Sequence, residues 1–229
     1  MPDAVMLFAA GLGTRMAPLT DHLPKPLIAV GGLPLIDHAL AQVDGAGVGR
    51  IVVNLHYKAD MLRAHLDGRP EVLLSDETGE LLETGGGLKA ALPLLESDPV
   101  FTMNTDAVWS GGNPLTELTQ AWDPARMDAC LLLVHRDDAV GHHGPGDFDL
   151  MDDGRIARGG PCVYTGVQIT RIGRVAAMAE RKFSLNRVWD QMAAEGRLFG
   201  TKHRGGFCDV GRPDAIALAE AHMAQIGHV

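Results

Sequence analysis

A short apolar run, AVMLFAA at residues 4–10, breaks directly into GLGTRMAPLTDHLPKP at residues 11–26. Such a run bounded by turn residues reads as a buried strand. Gly11 and Gly13 permit backbone angles that other residues avoid. Successive N–H groups can then turn into one concavity and bind oxyanions. Arg15 adds a planar, bidentate fork, and Lys25 adds a compact positive charge. Pro24 and Pro26 restrict the backbone on either side of that lysine. Two familiar phosphate-binding patterns fail on spacing: no G-x-x-x-x-G-K-[ST] occurs, and a dinucleotide fingerprint would need a third Gly where Met16 stands. An ordinary Gly turn would account for Gly11 and Gly13 alone, but not for Thr14-Arg15 and Pro24-Lys25-Pro26 as well.

The first half of the chain repeats this strand-then-turn rhythm. Residues 34–45 carry Leu35, Ile36, Ala39, Leu40 and Val43 on one side of a helix that Pro34 can start. Residues 51–55, 71–75, 100–104 and 129–134 read as strands, and 58–67, 85–95 and 114–122 as helices. Strands alternating with helices predict an α/β fold with a Rossmann-like, doubly wound, mostly parallel sheet. Ligands on such sheets sit at the carboxyl ends of strands, where the Gly-rich turn and Asp106 both fall. Residues 135–161 are rich in Gly, His, Asp and Arg and suggest no regular element. Beyond them, 163–170 and 197–203 read as strands, and 184–195 and 212–226 as helices. A single domain over 1–229 is expected, 1–134 mainly binding a nucleotide and 135–229 forming a smaller subregion on the same sheet.

Composition narrows the partners. With 20 basic and 29 acidic residues the net charge is −9, which argues against general affinity for nucleic acid or an anionic membrane. No stretch is long and apolar enough for a transmembrane helix, and residues 4–10 read as a strand rather than a signal peptide. Cys130, Cys162 and Cys208 are far apart, odd in number and form no C-x-x-C pair. Reduced thiols in a cytoplasmic protein are the expectation. Adjacent His142 and His143 point oppositely on an extended segment and have no helical His partner or Cys pair, so a zinc site is not expected. Trp109, Trp122 and Trp189 read mainly as core, with Trp109 close enough to Asp106 to line a pocket.

GLGTRM followed by PKP resembles the signature of the sugar-1-phosphate nucleotidyltransferases. LETGGGL (82–88), NTDAVW (104–109), GHHGPGDF (141–148) and FCDVG (207–211) follow in the family's order, so the resemblance spans nearly the whole chain. GHHGPGDF and LETGGG are most similar to the uridylyltransferases that act on N-acetylmuramate 1-phosphate in cell-wall recycling. Thr105 departs from the family, which usually has Gly between the Asn and the Asp. The resemblance implies a reaction between a nucleoside triphosphate, UTP or another NTP, and a sugar 1-phosphate, releasing pyrophosphate. A guanylyltransferase acting on mannose or heptose 1-phosphate shares the early motifs, and a non-catalytic sugar-nucleotide sensor is a rival of another class. The oligomeric state is not legible.

That reaction needs little acid–base chemistry. A phosphate monoester's second pKa is about 6, so the attacking oxygen is already largely ionised. Catalysis should come from alignment and charge neutralisation, with Arg15 and Lys25 as the catalytic cations. The resemblance assigns Ala10, Gly11, Gly13, Thr14, Arg15 and Lys25 to the triphosphate, and Glu83, Thr84 and Gly85 to the base and ribose. Three consecutive glycines before a helix are expected to expose N–H groups and admit a ligand closely. Asn104, Asp147, Thr165 and Gly166 are the expected sugar-binding residues. Asp106 and Asp209 match the family's metal ligands, an oxygen-only pair suited to Mg²⁺, with Mn²⁺ able to substitute.

Overall fold

In the computed structural model, which describes residues 1–226, the opening strand β1 (Ala4–Phe8) is two residues shorter than the apolar run. The N–H groups of Ala9 and Ala10 are taken by the Asn54 side chain instead of a neighbouring strand. Three short turns of 3₁₀ helix carry the chain through residues 14–27 to a small hairpin, β2 (Ala29–Val30) and β3 (Leu33–Pro34). There follow α1 (Leu35–Ala46), β4 (Arg50–Leu55), α2 (Ala59–Leu66), β5 (Val72–Asp76), α3 (Glu83–Leu95), β6 (Val100–Asn104), β7 (Ala107–Ser110), α4 (Pro114–Ala121) and β8 (Ala129–His135). The second half runs β9 (Ala139–Val140), β10 (Phe148–Leu150), β11 (Ile156–Arg158), β12 (Cys162–Thr170), α5 (Gly173–Ala177), α6 (Asn186–Ala194), β13 (Leu198–Lys202), β14 (Gly206–Asp209) and α7 (Asp214–Ile226).

Local chemistry sets several of these limits. Gly47, in the left-handed conformation, closes α1 by donating its N–H to the Val43 and Asp44 carbonyls. Asn113 opens α4 by accepting from the Leu115 and Thr116 N–H groups, with Pro114 as the first helical residue.

The main sheet has nine strands. One side of it is the parallel set β6, β1, β4 and β5, with β5 at the edge, as the alternating pattern predicts. Successive side chains of β1 face opposite ways. Val5 and Leu7 join Leu40, Leu62 and Leu118 in one core, under α1, α2 and α4. Ala4 and Met6 join Leu88 and Val188 in the other, under α3 and α6. The sheet departs from parallel at β12, which runs antiparallel between β6 and β8.

Residues 135–161 are not irregular throughout: they contribute β9, β10 and β11. Strands of two or three residues carry too little alternation to register as a period. A further small sheet, β7–β14–β9, also escaped the sequence pattern. In it β14 runs antiparallel to β7, with Asp209 opposite Ala107, and the Val210 N–H donates to the Asp106 carbonyl at 2.8 Å. Met16, Val108, Cys208, Val210 and Ala219 pack beneath it as a third apolar cluster.

Candidate active site

The loop after β1 is fixed from both sides. Gly13 has φ +63°, and a Cβ there would come within 2.9 Å of both Lys25 Cβ and Thr20 Cγ2. Only glycine lets this turn lie against the Lys25 segment. The Thr20 hydroxyl donates to the Gly13 carbonyl at 3.1 Å. Gly11, by contrast, faces open space. At the root of the loop, Asn54 from the end of β4 is only 3 % exposed. Its Oδ1 accepts from Ala9 N at 2.7 Å and Ala10 N at 3.2 Å, and its Nδ2 donates to Glu77 Oε1 at 2.7 Å. Burial pushes the Glu77 carboxyl up, opposed by the Asn54 and Leu82 hydrogen bonds and by nearby His56. Sequence reasoning missed Asn54 and Glu77, because each is an unremarkable strand-end residue until the sheet brings them together.

The charged groups meet next to this loop. Lys25 Nζ lies 2.6 Å from Asp106 Oδ2. Asp209 arrives on β14, and its carboxyl is raised by burial and by the charge of Asp106, against the lowering pull of Lys25, Arg15 and His142. Gly211 leaves room here: a Cβ on it would lie 3.1 Å from Asp209 Oδ1 and 3.5 Å from Arg15 Nη1. Two carboxylates placed together, partly buried, repel each other unless cations intervene. A hard, oxygen-only pair of this kind fits a Mg²⁺-type ion, which takes one or two carboxylates and completes its shell with phosphate oxygens. Among the described residues no third His, Cys, Asp or Glu joins them in a metal-binding group. His143 pairs instead with Asp214 at 3.9 Å.

Three cavities surround these groups. The first, about 260 Å³, is lined by Ala10, Gly11, Lys25, Glu77, Glu83, Thr84, Asn104 and Asp106, among others. A smaller one of about 200 Å³ lies against Gly13, Thr14 and Arg15 and shares Gly11, Lys25 and Asp106 with the first. The second large cavity, about 290 Å³, meets the first at Phe8, Thr84 and Asn104, and is lined further by Asp147, Arg158, Tyr164 and Trp189. Two compartments with a common wall, and cations and carboxylates at one end, suit a reaction joining two anionic substrates.

Several expected residues play other parts. The glycine run does not present free N–H groups to a ligand. Gly85–Gly87 lie inside α3, and the N–H groups of Gly85 and Gly86 donate to the Phe183 carbonyl at 2.9 and 3.0 Å. A Cβ on Gly85 would lie 2.4 Å from the Phe183 ring, so what glycine admits is this segment of protein. Thr165 is buried, its hydroxyl donating to the Leu132 carbonyl at 2.8 Å. Gly166, φ +85°, sits in a break in the β12 register and makes room for Asn104, whose Cβ would be 2.7 Å from a Cβ at 166. Neither residue lines the second cavity. Asp147 does, with Oδ2 accepting from the Tyr164 N–H at 2.8 Å. Trp109 packs on Phe207 and His203 in the core, away from the cavities. Trp189 is the tryptophan that lines one, its Nε1 donating to Gln168.

Residues 5–193 match the family described as the MobA-like NTP transferase domain. An N-acetylmuramate alpha-1-phosphate uridylyltransferase of Caulobacter vibrioides is 43 % identical over 98 % of this chain and 98 % of its own length. One from Neisseria meningitidis is 31 % identical over 94 % of this chain and 96 % of its own. Among solved structures, HddC from Yersinia pseudotuberculosis, complexed with GMP-PN, superposes with a TM-score of 0.78 at 23 % identity, covering 96 % of this chain and 99 % of that one. At that identity the likeness shows the shared fold.

Proposed function

We propose that this chain, which belongs to the MobA-like NTP transferase family of sugar-1-phosphate nucleotidyltransferases, transfers UMP from UTP to N-acetylmuramate 1-phosphate and releases pyrophosphate. The observation that carries the reading is the pair of cavities sharing Phe8, Thr84 and Asn104, with Lys25 and Asp106 in the first. Identity to two uridylyltransferases of the same stated activity supports the choice of base and sugar.

In this reading residues 1–134 bind mainly the nucleotide, while 135–229 contribute mainly the sugar side and the second carboxylate. The Gly11–Arg15 loop cradles the phosphates, with Arg15 and Lys25 offsetting their charge as two anions approach. Glu83 and Thr84 flank the base and ribose. Asn104, at the junction of the cavities, orients the sugar phosphate, and Asp147 accepts from a sugar hydroxyl. An oxygen of the sugar phosphate attacks the α-phosphorus, the new P–O bond forms, and the bond to pyrophosphate breaks. No side chain need remove a proton, because the attacking oxygen is already ionised near neutral pH. Asp106 and Asp209 would hold Mg²⁺ or Mn²⁺, which when bound adds positive charge to the phosphates and fixes their orientation. Three free, buried cysteines support residence in a reducing cytoplasm, and no described helix is long and apolar enough to cross a membrane. The acidic net charge supports small-molecule partners in place of nucleic acid.

A pyrophosphate-release screen of four NTPs against a panel of sugar 1-phosphates tests this. UTP with N-acetylmuramate 1-phosphate should give the highest kcat/KM, and EDTA should abolish it. Preferred turnover of GTP with mannose or heptose 1-phosphate would overturn the assignment.

A further inference from the structure

The second cavity contains a cation for which the proposed chemistry has no use. Arg158, at the end of β11, is the only Lys or Arg among the residues that line it. It lines neither compartment that carries Lys25, so it stands apart from the groups assigned to the phosphates. Its guanidinium carbon lies 4.9 Å from the Phe148 ring centroid and 5.6 Å from that of Trp189, within cation–π range of both. Nε donates to Asp190 at 2.9 Å and Nη2 donates to the Asn186 carbonyl at 3.2 Å. Nη1 donates to no group among the described residues. Arg158 and Asp190 are both well exposed, and such a pair steadies the arm without cancelling its charge. The result is a planar donor beside two aromatic rings, anchored at its Nε and Nη2 atoms, in the wall of a sugar-sized cavity.

A cation set away from the phosphates calls for a second anionic group on the sugar. N-acetylmuramate has one, the carboxylate of its lactyl ether, and N-acetylglucosamine is the same sugar without it. We propose that Arg158 is a specificity-determining residue: it takes the carboxylate of an acidic sugar substituent and so separates N-acetylmuramate 1-phosphate from its neutral parent. This rests on the sugar assignment above. Asp147 puts a negative charge on the same cavity, so an acidic sugar is disfavoured there unless Arg158 is present. Arginine suits the task because its fork matches a carboxylate and, being planar and pre-organised, loses little freedom on binding.

The test compares wild type, Arg158→Gln and Arg158→Lys, each with N-acetylmuramate 1-phosphate and N-acetylglucosamine 1-phosphate at saturating UTP, with thermal unfolding to monitor folding. Loss of a hydrogen bond to a charged group should lower kcat/KM for the acidic sugar about ten- to a hundredfold, mainly through KM. The ratio between the two sugars should collapse, and the lysine variant should recover part of it. A wild-type preference for the acidic sugar that survives in Arg158→Gln overturns the role of Arg158 and leaves the sugar assignment standing. Equal losses on both sugars assign Arg158 to cavity structure and also overturn it. A wild type that prefers the neutral sugar overturns both readings. Preference for another NTP, with acidic-sugar selectivity lost in Arg158→Gln, overturns the base assignment and supports Arg158.

Discussion

Replacing Asn54 with Ala should destabilise the protein far more than an average substitution. The side chain accepts from two buried N–H groups, Ala9 and Ala10, and donates to the buried Glu77 carboxyl. Its removal orphans three groups at once. A buried group left unsatisfied costs about 1–3 kcal/mol. Water entering the vacated space recovers some of this, so a net loss of about 3–5 kcal/mol is expected, large against a total stability of about 5–15 kcal/mol. Glu77 makes the loss pH-dependent. Its folded pKa is raised, so the stability it contributes is fully present below the unfolded value of about 4.3 and is lost as pH rises through the folded value. Asn54 stabilises the ionised form, so its removal raises the folded value further, and the deficit of the mutant should grow from pH 4 to pH 7. Urea unfolding of both proteins at the two pH values measures this. A loss below about 1 kcal/mol at pH 7, or a deficit larger at pH 4 than at pH 7, would refute the role given to Asn54.

Asp209→Asn should move stability and activity in opposite directions. The carboxyl is disfavoured by burial and by Asp106, so metal-free thermal stability should rise slightly at neutral pH while turnover falls by orders of magnitude; parallel losses would mark a structural residue. Lys25→Met removes the partner of Asp106 and the one Lys or Arg among the residues that line the first cavity. An aligned cation in a closed site contributes several kcal/mol, so turnover should fall well over tenfold with little change in the circular dichroism spectrum, and near-normal kcat would remove Lys25 from the catalytic machinery.

The parallel half of the fold was legible because each element there is long enough to show its period. Residues 34–45 carry five apolar positions on one face, and those five are the buried residues of α1. The antiparallel half was not. A strand such as β12 has the same alternation whichever way its neighbours run, so its position between β6 and β8 depends on contacts distant in sequence. The two- and three-residue strands of 135–161 exist because partners supply their hydrogen bonds, not through any preference of their own.

The site divides along the same line. Gly13, Arg15 and Lys25 were legible because they lie within one short segment, where spacing carries geometry. Asp106 and Asp209 are 103 positions apart (209 − 106), and only family order linked them before the β7–β14 pairing brought their strands together. Asn54 and Glu77 had no such help, and in LETGGG it is the glycines alone that depart from expectation, Gly85 and Gly86 donating to the Phe183 carbonyl. Glycine registers in sequence only as permission for close approach, and it does not say what approaches. At Gly85 the visitor is Phe183. The Phe183 segment leads directly to Ser184 and Leu185 in the second cavity, and the Leu185 N–H donates to Thr84 Oγ1 at 3.1 Å. A change at Gly85 would therefore displace a wall of the sugar cavity along with the start of α3. A motif expected to touch the base is thus physically coupled to the compartment on the other side of the junction.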